Sequence, residues 1–197
     1  MIYLLGITEF YGNNGNDKID VALSLVEHHN TLLISTKIIS FFKIESFKKN
    51  MLIFRIDELN KLNIILKYKI RDFIIDNSIE LVIIDSLEHL VYYEDLNKEI
   101  YKSITEIITN IKQINYSLKT RFILININTN KPLTDYYNNV FGLEWNYSVN
   151  TKIEFITRNN IKFIKIRISP VLDKLEFEYQ IRKGKLYFNE TNIKLNI

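Results

Sequence analysis

Apolar residues change their period along this chain in a regular way. Thr8–Tyr11 has strand length and ends in a glycine-containing loop, Gly12-Asn-Asn-Gly15. Val21, Ala22, Leu25 and Val26 then share one face of a helix. Thr31–Ser35 and Met51–Ile56 are apolar runs of strand length, and Leu59, Leu62, Leu66, Ile70, Phe73 and Ile74 recur at helical spacing. Leu81–Ile84 reads as a buried strand. Ile100, Ile104, Ile107, Ile108, Ile111 and Ile114 form a long helical stripe, and Arg121–Ile125 is a buried strand again. Short apolar strands separated by helices imply a parallel sheet covered on both faces. The last third differs: Thr151–Ile156, Ile161–Ile168, Leu175–Ile181 and Lys185–Phe188 are strand-like, with Lys183-Gly184 as a tight turn between the last two. The expected fold is therefore α/β: a mainly parallel central sheet flanked by helices, extended by C-terminal antiparallel strands.

The chain has 197 residues, which suits one domain with a sizeable core. Hydrophobic residues at 47% and charged residues at 25% are ordinary for a globular protein. Without cysteine there are no disulfides or thiolate metal sites, and the three histidines (His28, His29, His89) lack ligand spacing. No apolar window is long enough for a transmembrane helix, and the N-terminus reads as a strand instead of a signal peptide, so no membrane partner is expected. A net charge of +3 does not by itself argue for nucleic acid.

Candidate chemistry begins at the first strand–helix junction. A phosphate-binding loop reads Gly-x4-Gly-Lys-Ser/Thr and cradles phosphate with backbone N–H groups and a helix N-terminus. Here Gly12 and Lys18 are in place, with Gly15 inside the loop, but the second glycine is Asp17 and the hydroxyl residue is Ile19. Asp17 puts negative charge where phosphate would approach, and Ile19 lacks the hydroxyl that would hold Mg²⁺. Leu81-Val-Ile-Ile-Asp85-Ser86 is an apolar strand ending in the acid that would order a magnesium shell. Each signal alone is weak; their order on this fold makes them moderately specific.

With these two motifs, two further segments carry a family resemblance. Phe141-Gly-Leu-Glu-Trp145 leads into Asn150-Thr-Lys-Ile-Glu-Phe155, and Lys165-Ile-Arg-Ile-Ser169-Pro170 precedes Glu176-Phe-Glu-Tyr179. In this order the chain resembles the RecA/RadA recombinase superfamily, particularly its eukaryotic paralogues (Shu-complex-like) and the archaeal RadB proteins. The resemblance implies a single RecA-like core over residues 1–197, without the family's N-terminal DNA-binding domain or polymerisation strand. It also implies a catalytic Glu where Lys37 stands, and a lysine is no base at neutral pH. A sensor amide falls at Asn126 or Asn128. DNA-binding loops fall near Leu87–Asp95 and Thr129–Val140, where Lys131, Tyr136 and Tyr137 offer a cation and two stacking rings. Lys165 with Arg167, the Arg182/Lys183/Lys185 group and Lys48-Lys49 read first as solvated charge.

The expectation is a non-hydrolysing subunit of homologous recombination and DNA repair, a pseudo-ATPase without bound cofactor. Its implied partners are another RecA-like paralogue in a heterodimer, the main recombinase and single-stranded DNA. It would reside in the nucleus of a eukaryote or the cytoplasm of an archaeon. Alternatives are a weak DNA-dependent ATPase using ATP and Mg²⁺, and an interaction module that only reuses the fold. Asp17 and Lys37 are expected to pair if close, plugging the phosphate site.

Overall fold

In the computed structural model, residues 6–12, 15–26, 29–37, 49–91, 97–126, 145, 147–170, 174–182 and 185–188 are described. They form strands β1 (Ile7–Gly12), β2 (Thr31–Ser35), β3 (Met51–Arg55), β4 (Leu81–Asp85), β5 (Arg121–Ile125), β6 (Thr151–Arg158), β7 (Ile161–Ile168), β8 (Glu176–Arg182) and β9 (Lys185–Phe188). The helices are α1 (Gly15–Ser24), α2 (Leu59–Tyr68), α3 (Ile70–Asp76), α4 (Leu87–Val91) and α5 (Lys98–Leu118).

One sheet carries all nine strands in the order β3-β2-β4-β5-β1-β6-β7-β8-β9. Neighbours from β3 to β6 run parallel, and from β6 to β9 antiparallel. The two-residue period of the parallel strands builds a core on each face. Leu32, Ile34, Val82, Ile84, Phe122 and Leu124 face α2, α3 and α5, whereas Leu33, Ile83, Ile123, Ile125 and Phe10 face α1 and the antiparallel wing. This double burial is why β2, β4 and β5 are uniformly apolar. Helix α5 begins where the Asn97 side chain accepts from the N–H groups of Glu99 and Ile100, and it ends at Lys119 in the left-handed conformation. Its stripe Ile104, Ile107, Ile108, Ile111 and Ile114 is buried, each residue contributing about 1.5–3 kcal/mol of transfer free energy.

Two departures from the sequence pattern have local causes. The stripe from Leu59 to Ile74 is two helices broken at Lys69 (φ −123°). Apolar residues spaced by four from Leu62 to Ile74 would drift about 40° per step around a straight helix. The break returns Ile70 and Ile74 to the core, where both are buried. The β6–β7 connection is a two-residue turn at Asn159 and Asn160 (φ 49° and 64°), the paired left-handed geometry that matches hairpin twist. Arg182 and Lys185 pair across the β8–β9 hairpin as expected; its turn, 183–184, lies outside the described residues.

Gly12 ends β1 at φ +123°, and a Cβ there would stand 2.2 Å from the Phe155 carbonyl oxygen of β6. The close β1–β6 pairing therefore requires glycine at this position. Asn150 completes the join: its side chain accepts from the Ile7 N–H at 2.7 Å.

Candidate nucleotide site

The carboxyl ends of β1, β2, β4 and β5 open on the same edge of the parallel sheet, the edge on which such folds place their ligand sites. Lys18, Lys37, Asp85 and Asn126 follow or end these strands.

Lys18, in the first turns of α1, is fully buried and donates to the Gly12 carbonyl. Burial pulls its ammonium down to about 8, opposed by Glu88 and reinforced by Lys37. Lys37 reaches the site because the end of β2 is stitched to the end of β4. The Thr36 hydroxyl donates to the Ser86 carbonyl (2.8 Å) and accepts from the Ser86 N–H (3.0 Å), across the cis Asp85–Ser86 peptide. The Thr36 N–H donates to the Asp85 carbonyl, and the Ser35 hydroxyl to the Lys37 carbonyl. So held, Lys37 sets its Nζ 3.0 Å from Asp85 Oδ1. The Lys37 side chain is 33% exposed and that of Asp85 only 1%. Burial raises the Asp85 carboxyl above its ordinary value, and Lys37 opposes the rise.

The expected Asp17–Lys37 pair does not form. Asp17, in the first turn of α1, turns to the antiparallel wing, where Lys162 Nζ (3.0 Å) and the Tyr179 hydroxyl (2.9 Å) donate to its two oxygens. Those partners are supplied by β7 and β8 and lie about 145 to 162 residues along the chain, a separation no local pattern reveals. Ile19 is buried in the core beside Phe10 and Leu33, well placed for packing and without a hydroxyl to offer. Gly15 opens α1.

The loop expected from Leu87 to Asp95 is corrected in its first half. Leu87–Val91 is helix α4, with Leu87, Glu88, Leu90 and Val91 buried, so these residues face the core and not a nucleic acid. Apolar residues at i, i+3 and i+4 were the available signal. Glu88, first read as repelling phosphate, instead lies close enough to Lys18 to stabilise its charge. Residues 92–95, Asn128 and the proposed contacts Lys131, Tyr136 and Tyr137 lie outside the described residues, as do Lys48 and Lys183. Lys165 and Arg167 are not free cations: Lys165 pairs with Glu176 (3.5 Å) and Arg167 with Glu154.

Asn126 is a second correction, and it exposes a cluster that sequence reasoning missed. Its side chain, buried at the end of β5, donates to Glu9 Oε1 at 2.8 Å. Trp145 Nε1 donates to the same oxygen at 2.8 Å, and Lys152 Nζ lies 3.0 Å from Oε2. Glu9 is 1% exposed in the middle of β1. An acid in an otherwise apolar central strand was the only local sign of this network.

Among the described residues no group of three or more His, Cys, Asp or Glu could hold a metal, and no helix is long and apolar enough to cross a membrane. No protein-family model and no curated protein matches the sequence. Among solved structures the chain is similar to the RadB recombinase, with a TM-score of 0.73 at 12% identity over 92% of this chain and 89% of that one. It is also similar to the KaiC-like protein PH0186 of the hyperthermophilic archaeon Pyrococcus horikoshii OT3, with a TM-score of 0.68 at 10% identity over 93% and 89%. The likeness is one of fold, and the chain has the RecA-like fold expected of it.

Proposed function

We propose that this chain is a recombinase-paralogue subunit that does not hydrolyse ATP. In this reading it assists homologous recombination and DNA repair in a complex with another RecA-like chain, on single-stranded DNA. The observation that carries it is the Lys37–Asp85 ion pair. One lysine both replaces the carboxylate that would activate water and covers the carboxylate that would order a magnesium shell. Asp17 in the first turn of α1 and Ile19 in the core support the same reading, since neither helps to hold a metal-bound triphosphate. The residues present do not fit Mg–ATP, and no chemical step is assigned to it.

A second reading, a weak DNA-dependent ATPase, is favoured by Lys18 and Asp85 being kept and by the buried carboxylate of Glu88 near Lys18. Titration of the purified chain with a fluorescent ATP analogue and Mg²⁺, with and without single-stranded DNA, separates the two. The proposal expects no saturable binding at high micromolar protein. Saturable, Mg²⁺-dependent binding with DNA-stimulated phosphate release overturns it in favour of the enzyme.

A further inference from the structure

We propose that Glu9 is a positioning residue for nucleic-acid binding, the clamp that fixes Asn126 and Trp145 beside one another. The inference deepens the reading above and rests on its assignment of single-stranded DNA as a ligand. Two residues distant in sequence, Asn126 at the end of β5 and Trp145 just before β6, donate to a single oxygen of one buried carboxylate. Residues 127–144, which include Lys131, Tyr136 and Tyr137, run from one of these anchors to the other.

The arrangement is specific in its chemistry. Oε1 takes two N–H donors, a full complement for one carboxylate oxygen, while Oε2 is neutralised by Lys152 from the neighbouring strand β6. Asn126 is held a second time, its backbone N–H donating to the Phe10 carbonyl of β1 at 2.8 Å. Trp145 is 1% exposed, and Lys152 is 7% exposed, so water does not compete for these bonds. Both anchors are set by protein groups alone. The segment between them therefore starts and ends at fixed points whether or not a nucleotide is present, and its contacts with single-stranded DNA form without ATP. Pre-organised ends lower the ordering cost that binding would otherwise meet.

Trp145 is the only tryptophan, so its fluorescence reads the clamp directly. The test is Glu9→Met/Lys152→Met, which removes both charges together and strands neither. With far-UV circular dichroism unchanged, the expected result is red-shifted emission, easier quenching by acrylamide, and an affinity for fluorescein-labelled oligo(dT), measured without nucleotide, lower by about tenfold or more. Should the double variant not fold, Glu9→Gln replaces it; it keeps the shape and one acceptor oxygen, and a smaller shift in the same directions is expected. A folded variant with wild-type emission and quenching overturns the clamp. Wild-type protein that binds no oligo(dT), with Trp145 released by the variant as described, overturns the DNA reading while the anchoring by Glu9 stands. Released Trp145 with wild-type oligo(dT) affinity overturns the role of Glu9 in binding.

Discussion

Replacing Lys37 by methionine tests the ion pair on which the functional reading rests, and its two halves should respond unequally. Asp85 is fully buried, its Oδ1 meets Lys37 at 3.0 Å, and its Oδ2 has no hydrogen-bond donor. Removing Lys37 strands that carboxylate, for which the usual cost is about 3–5 kcal/mol. Lys37 is partly exposed, so water can follow the vacated path, and the lower end, about 3 kcal/mol, is expected. Asp85→Asn strands nothing of comparable cost, because the ammonium of Lys37 can turn to solvent; its stability should stay within about 1 kcal/mol of wild type. The assay is urea unfolding near neutral pH, comparing midpoints at constant slope. The pH dependence supplies an independent sign. A carboxyl whose folded value is raised destabilises the fold as pH rises through its range and ceases to do so when protonated. Lys37→Met raises the Asp85 carboxyl further, so the deficit should shrink as the solution is acidified toward about pH 4.5, where burial favours the neutral acid. Equal losses for the two variants, or a Lys37→Met deficit that does not change with pH, would refute the argument.

Two further outcomes follow from the same site. Lys18 is depressed from 10.5 to about 8 in the fold, so the unfolded chain binds the extra proton between those values and stability rises with pH across that window, by up to about 3 kcal/mol in total. Denaturation between about pH 8 and pH 10 should show this slope in wild type and not in Lys18→Met; above pH 10 the raised phenol of Tyr11 acts in the opposite sense. Gly12→Ala forces a Cβ against the Phe155 carbonyl at positive φ and should cost about 3 kcal/mol, measured as a lowered melting temperature; a loss below about 0.5 kcal/mol would show that β1 and β6 can separate there.

Much of the fold was legible because double burial leaves a strong trace. The runs in β2, β4 and β5 and the isoleucine stripe of α5 have few other readings. The break at Lys69 was not, since no glycine or proline marks it and the cause is an accumulated phase error against the sheet. At the site, Lys18, Asp85 and Lys37 could be placed at one edge from strand order alone. Their pairing could not. Whether Lys37 meets Asp17 or Asp85 depends on Thr36 binding the turn after β4, and Asp17 is claimed by β7 and β8. Glu9 was passed over for the same reason: an acid in a strand is informative only once Lys152, Trp145 and Asn126 are known to surround it.

The order of the strands also sets the order in which they can come together. β1 lies between β5 and β6, so both its neighbours are supplied from beyond residue 120. Closing such long loops is entropically slow. The antiparallel wing is the reverse: β6 and β7 join through two asparagines and can form from local chain on a microsecond scale. Folding should therefore begin at the C-terminal hairpin and the isoleucine helix, with β1 inserted last between two waiting edges. During synthesis β1 must stay unpaired until nearly the whole sheet exists, and a chaperone that shields an apolar strand with a single acid at its centre would shorten that wait.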